Sequence, residues 1–179
     1  MNLDELLSFV NSEHSYVRVV AARDSELTES MIQKLLVDSS VDVRIALAGN
    51  PIITPSHIDT LLDDVSLLVR NIATANKNAS SGNLTKALAM NHPLDDVKYV
   101  WTSAASNPNC TPAHLNFAMQ SDCYEVRASA VSNKVADKRI IDIGLCDTDV
   151  IVRAMAKVSD TYKKSYPNGH EVVKTVVAL

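Results

Sequence analysis

The chain has 179 residues, a formal net charge of −4, 46% hydrophobic residues, 4% aromatic residues and four glycines. No stretch approaches the roughly 20 consecutive apolar residues of a membrane span, and a net negative charge is poor material for the basic stripe of a duplex binder. A chain so poor in large rings must fill its core with Leu, Ile, Val and Ala, which suits short packed helices better than a β-sandwich.

The first residues, Met1-Asn2-Leu3-Asp4-Glu5, are acidic, which argues against a secretion or import leader. Cys110, Cys123 and Cys146 form no CxxC pair and cannot all pair with one another. That usage fits a reducing, cytoplasmic setting and gives no reason to expect zinc or an iron–sulfur cluster. Charge is spread unevenly. Residues 1–97 carry 13 acidic and 7 basic side chains, and residues 98–179 carry 8 and 10.

Read from the start, the chain alternates two amphipathic segments. The first, helix A, is announced by the N-cap column Asn2, Thr28, Thr54, Ser80, Thr111 and Asp137. The side-chain oxygens of these residues suit the orphan amides of a first turn. Pro55 and Pro112 follow at the first helical position, where a missing N–H costs nothing. The buried stripe of helix A is Leu6, Ile32, Ile58, Leu84, Leu115 and Ile141, with Val10, Leu36, Leu62, Leu88, Met119 and Leu145 one turn later.

Helix B follows, anchored on Val-Arg at Val17-Arg18, Val43-Arg44, Val69-Arg70, Val126-Arg127 and Val152-Arg153, with Val100-Trp101 as the variant copy. Successive anchors lie 26, 26, 31, 26 and 26 residues apart, so the chain is a repeat with one five-residue insertion around residues 89–95. Three residues after each anchor Arg or Trp come Ala21, Leu47, Ala73, Ala104, Ala130 and Ala156, one turn from the Val on the same buried face. Six residues before it come Ser12, Asp38, Asp64, Asp95, Ser121 and Asp147, which read as the N-caps of helix B. Six residues after it come Asp24, Asn50, Asn76, Asn107, Asn133 and Ser159, where Asn suits a left-handed helix end, and Pro51 and Pro108 bar continuation.

These columns predict an all-α solenoid of about six two-helix repeats over residues 2–159, an irregular loop over 160–167 and a closing cap helix over 168–179. The whole chain then forms one domain. Asn2 already stands in frame, leaving no room for another N-terminal domain.

The run Val43-Arg44-Ile45-Ala46-Leu47-Ala48-Gly49-Asn50-Pro51-Ile52-Ile53-Thr54-Pro55, continuing to Leu61-Leu62-Asp63-Asp64, resembles the leucine-rich repeat variant family. It is similar, more loosely, to HEAT-type helical repeats. Ala105-Ser106-Asn107-Pro108-Asn109-Cys110-Thr111-Pro112 is the best second copy. The resemblance covers residues 2–159, although only two repeats carry the full Asn-Pro…Thr-Pro signature. It implies a curved superhelix in which an α-helix alternates with a second short helix that 3₁₀ geometry would also suit. A member of that family holds an iron–sulfur centre on cysteines ahead of its repeats. This chain lacks such cysteines, so no cofactor is carried over. The resemblance leaves function to be argued from the site.

Two features stand out as candidate sites. The column Arg18, Arg44, Arg70, Arg127 and Arg153 is either a structural ladder bonded to Asp or to carbonyls, or a line of cations for phosphates. The ladder is favoured because each repeat carries its own acid, with Asp38, Asp64 and Asp147 as ready partners. Trp101 breaks the column directly after the insertion. Either it fills a gap there, or it anchors a partner together with Tyr99, Tyr124, Lys98 and His92.

The remaining chemistry-bearing residues are explained by the repeat. His57 and His114 share a column two repeats apart, so all five histidines read as capping or solvent-facing and no metal site is expected. The cysteines read as small core or groove residues, with Cys110 the candidate for exposure. No Gly-rich phosphate loop, HExxH or GxSxG occurs. The sequence therefore points to a non-enzymatic protein-interaction module, an adaptor or inhibitor, without cofactor. The alternative is a nucleic-acid-binding HEAT-like protein using the arginines, and a homodimer through the C-terminal helix is a further option.

Overall fold

The computed structural model of the protein describes residues 1–90, 97–167 and 169. Among the described residues there are thirteen α-helices and no strand. The A segments form α1 (Leu3–Val10), α3 (Glu29–Leu36), α5 (Pro55–Leu61), α7 (Ser81–Leu88), α9 (Pro112–Ala118) and α11 (Lys138–Leu145). The B segments form α2 (Ser15–Ala22), α4 (Val41–Ala48), α6 (Leu67–Ala75), α8 (Lys98–Ser106), α10 (Tyr124–Ser132) and α12 (Val150–Val158), and α13 (Asp160–Ser165) closes the series. Residues 91–96 of the insertion, with His92 and Asp95, lie outside the described residues. So does the expected cap helix at 168–179, apart from Gly169.

Segments of six to nine residues are marginal alone, so their stability comes from packing. Each A helix packs on the B helix that follows it, and each B helix lies closely against the B helices before and after it. Successive A helices touch sparsely. The two stripes read from the sequence are the core: Leu6, Ile58, Leu84, Leu115 and Ile141 have no solvent exposure, nor do Val43, Val69, Val100, Val126 and Val152.

The caps of helix A follow from its column. Asn2 accepts from the Glu5 N–H and Asp137 from the Ile140 N–H. Thr54, Ser80 and Thr111 form capping boxes with His57, Asn83 and His114. Thr28 caps without a side-chain bond.

Three readings are corrected. The helix-B N-caps are His14, Ser40, Ser66, Val97, Cys123 and Asp149, two residues beyond the expected column. Asp38, Asp64 and Asp147 instead close turns by accepting from the N–H of Ser40, Ser66 and Asp149. Their carboxylates face the arginine of the preceding pair, which fixes them outside the helix.

The asparagines are not left-handed helix ends, because no described non-glycine residue has positive φ. Asn50, Asn76, Asn107 and Asn133 are buried, and each reaches back across one helix pair. Asn107 Nδ2 donates to Thr74 O (2.8 Å) and Asn76 O (3.1 Å), while its Oδ1 accepts from the Asn109 N–H at 2.9 Å. The other three repeat this pattern. A side-chain amide is required because it alone supplies two donors and an acceptor at once. Asp24, at the same position in the first pair, accepts from the Glu26 N–H and faces the Met1 amine.

Residues 160–165, expected as loop, form α13 instead. Ser159 ends α12 and caps α13 by accepting from the Tyr162 N–H. Tyr162 and Tyr166, one turn apart, lay half-buried rings against the core, and Tyr166 bonds Lys138 and Asp142 of α11. That apolar pair is what a bare loop would lack.

Candidate partner surface

The arginine column is a ladder between helix pairs. Arg18 Nε and Nη2 grip Asp38 at 2.7 and 2.8 Å, Arg44 grips Asp64 at 2.6 and 3.1 Å, and Arg127 grips Asp147 at 2.8 and 2.9 Å. The carboxylate therefore belongs to the following repeat, not to the arginine's own. Within its own repeat each guanidinium donates from Nη1 to the carbonyl six residues earlier: Ser12, Asp38, Asp64, Ser121 and Asp147 for Arg18, Arg44, Arg70, Arg127 and Arg153. Hydrogen bonds to the carboxylates raise Arg18, Arg44 and Arg127 further above their ordinary range. Burial pushes the Asp38 carboxyl up, but the bonds from Arg18 and the Ser40 N–H outweigh it and hold the group below the usual range. Asp147 is held low chiefly by Arg127.

The ladder explains where Asp gives way to Ser. Ser121 follows the one anchor that is not arginine, Trp101. Without a guanidinium opposite, a half-buried carboxylate at 121 would be uncompensated.

Trp101 is half-buried against the core, and its Nε1 is buried with no hydrogen-bond partner. A cavity of about 260 Å³ lies beside it, lined by Leu88, Phe117, Ser121, Asp122 and Val126 among others. Phe117 is 52% exposed. The corresponding residues Ser8, Lys34, Thr60 and Lys86 are polar and Ile143 is aliphatic, so Phe117 is the one aromatic in its column, and that is the signal by which the sequence could have shown it.

The expected anchor set is not one patch. Tyr99 and Trp101 are two residues apart on α8, so they point to different faces. Tyr99 is 53% exposed, with Lys98 Nζ 5.4 Å from its ring centre. Tyr124 starts α10 at the position that Lys98 takes in α8 and is also exposed. Tyr99 instead belongs to the outward column Tyr16, Asp42, Leu68, Tyr99, Glu125 and Ile151 of the B helices. In it Tyr16, Leu68, Tyr99 and Ile151 are large apolar side chains open to solvent.

His57 and His114 are buried cap residues. Their Nδ1 atoms accept from the N–H of Thr54 and Thr111 at 3.1 Å, leaving Nε2 to face Glu29 at 3.0 Å and Thr85 at 2.9 Å. Burial lowers the His114 pKa. Cys110, the candidate for exposure, is buried instead; burial pushes its thiol up to about 11, and it donates to Ala104 O. Among the described residues no group of three or more His, Cys, Asp or Glu could hold a metal, and no helix is long and apolar enough to cross a membrane.

Comparison with protein-family models and with curated proteins gives no match.

Proposed function

We propose that the chain is a curved α-solenoid of six helix pairs, of the kind seen in leucine-rich repeat variant and HEAT-type proteins, that binds another protein on its B-helix face and catalyses nothing. Close B–B packing beside sparse A–A contact supports a curvature with the B helices inside. The observation that carries the function is the contrast between two columns. The guanidiniums of Arg18, Arg44 and Arg127 are occupied by Asp38, Asp64 and Asp147, whereas Tyr16, Leu68, Tyr99 and Ile151 on the same helices stand open to solvent. Exposed Tyr and aliphatic side chains on a continuous inner surface suit a protein ligand. Phosphate binding along the arginines would first have to break bidentate ion pairs, which speaks against the nucleic-acid alternative. Three free thiols are in keeping with a reducing cytoplasm.

The test is affinity capture from nuclease-treated host lysate with wild type and the double variant Leu68→Ser/Tyr99→Ser. A protein retained by wild type and lost by the variant supports the reading. Equal retention by both, or recovery only of nucleic acid when nuclease is omitted, overturns it.

A further inference from the structure

The gap in the ladder at Trp101 and Ser121 has properties that none of its intact rungs shares. Every other buried side-chain nitrogen and oxygen among the described residues has a partner, but Trp101 Nε1 has none. The space beside it is apolar on Leu88, Phe117 and Val126 and polar at Ser121 and Asp122. At about 260 Å³ it is smaller than the roughly 300–1,000 Å³ of small-molecule pockets, and suits a single side chain. A second hollow of about 300 Å³ shares Leu88 and Phe117 with it and extends past Thr85 and Ala113. Two side-chain-sized hollows that meet at Leu88 and Phe117 suit neighbouring side chains of a peptide.

Charge restricts the occupant further. Asp122 is exposed, and only its carbonyl is engaged, by Arg127 Nη1. Among the described residues no cation pairs with its carboxylate. The rung that would normally close this region, Arg with Asp, is replaced by Trp with Ser, so the cavity is uncharged inside and negative at its mouth.

We propose that this gap is a docking pocket for an extended segment of a partner protein. The segment places an aliphatic side chain against Trp101 and Phe117 and sets a neighbouring Lys or Arg beside Asp122. The pocket deepens the protein-binding reading and rests on it, yet it is separate from the B-helix face.

The experiment is selection of a phage-displayed library of random dodecapeptides on the immobilised full chain, followed by titration of the selected synthetic peptides. Trp101 is the sole tryptophan, so its emission reports the pocket directly. The expected result is a shared aliphatic residue next to Lys or Arg, with a change in Trp101 emission on binding. Phe117→Ser and Asp122→Lys alter exposed positions, leave the helical circular dichroism intact, and should each weaken binding about 10-fold or more. Selection of no common motif, or of peptides that bind wild type, Phe117→Ser and Asp122→Lys equally, overturns the pocket. Peptides that instead lose affinity only with Leu68→Ser/Tyr99→Ser overturn it while leaving the interaction-module reading standing. If the only competitor to emerge is a second copy of the chain, seen as concentration-dependent mass, the occupant proposed here is wrong.

Discussion

Replacing Asn107 by alanine removes the link between two helix pairs at the centre of the array. Two groups lose their partner: the carbonyl of Thr74, near the C-terminus of α6, and the N–H of Asn109. The Asn76 carbonyl keeps a bond from the Ala79 N–H, so it is not stranded. At about 1–3 kcal/mol for the buried Thr74 carbonyl, and about 1 kcal/mol or less for the N–H of exposed Asn109, the loss comes to about 3 kcal/mol. For a chain of this length that is a drop in Tm of roughly 6–12 °C. Asn78→Ala is the control, because its Nδ2 also bridges two carbonyls, Pro51 O at 2.6 Å and Ile53 O at 3.0 Å, but partly in solvent. It should cost about 1 kcal/mol or less, since water replaces what is lost. The assay is urea unfolding at neutral pH, read by far-ultraviolet circular dichroism and Trp101 emission together. Coincident transitions are required, because repeat arrays can unfold in parts. A loss for Asn107→Ala no greater than that for Asn78→Ala would refute the reasoning.

Three further outcomes follow from particular contacts. A β-carbon on Gly144 would lie 2.5 Å from Val131 Cγ1 and 3.2 Å from Ala156 Cβ. Gly144→Ala should therefore cost about 1–3 kcal/mol despite the better helix propensity of alanine, and adding Val131→Ala should return part of it in a double-mutant cycle by denaturant unfolding. Because Asp38 and Asp147 are held below the usual carboxylate range, their contribution is present above the unfolded pKa of about 3.9 and disappears as pH falls through the folded value. Asp147→Asn should lower the urea midpoint at pH 7 and flatten its fall below about pH 4; an unchanged acid limb would contradict the ladder's electrostatics. Thiol titration with an aromatic disulfide at mildly alkaline pH should modify exposed Cys146 first, with buried Cys110, its thiol pushed up to about 11, reacting only on unfolding. Fast modification of Cys110 would show that its loop opens in the native state.

The helical class and the core were legible because burial repeats with helical period: the Leu/Ile stripe of helix A and the Val/Ala stripe of helix B are the residues found inside. The proline positions and all six A-helix N-cap positions were legible for the same local reason, although Thr28 makes no side-chain bond. Asp38, Asp64 and Asp147 were legible as the acids of the ladder; what escaped was that each pairs across to the arginine of the repeat before it. A column of Asp before a helix has the chemistry of a cap, and nothing in one repeat shows that its carboxylate is held by the arginine 20 residues earlier. An Asn at a helix end likewise suits a left-handed residue until the previous pair supplies two carbonyls for it to bridge. Phe117 was missed because a residue on the exposed side of a helix draws notice only against its column. Tyr99 and Trp101 were grouped by nearness in sequence, which on a helix separates rather than unites them.

The central claim is that the B-helix face receives a protein. Its most direct test is hydroxyl-radical footprinting of the captured complex against the free chain. The account predicts protection at Tyr16, Leu68, Tyr99 and Ile151, with the solvent-facing A-helix residues other than Phe117 unchanged. Protection confined to the A helices, with those four side chains as reactive as in the free chain, would contradict it.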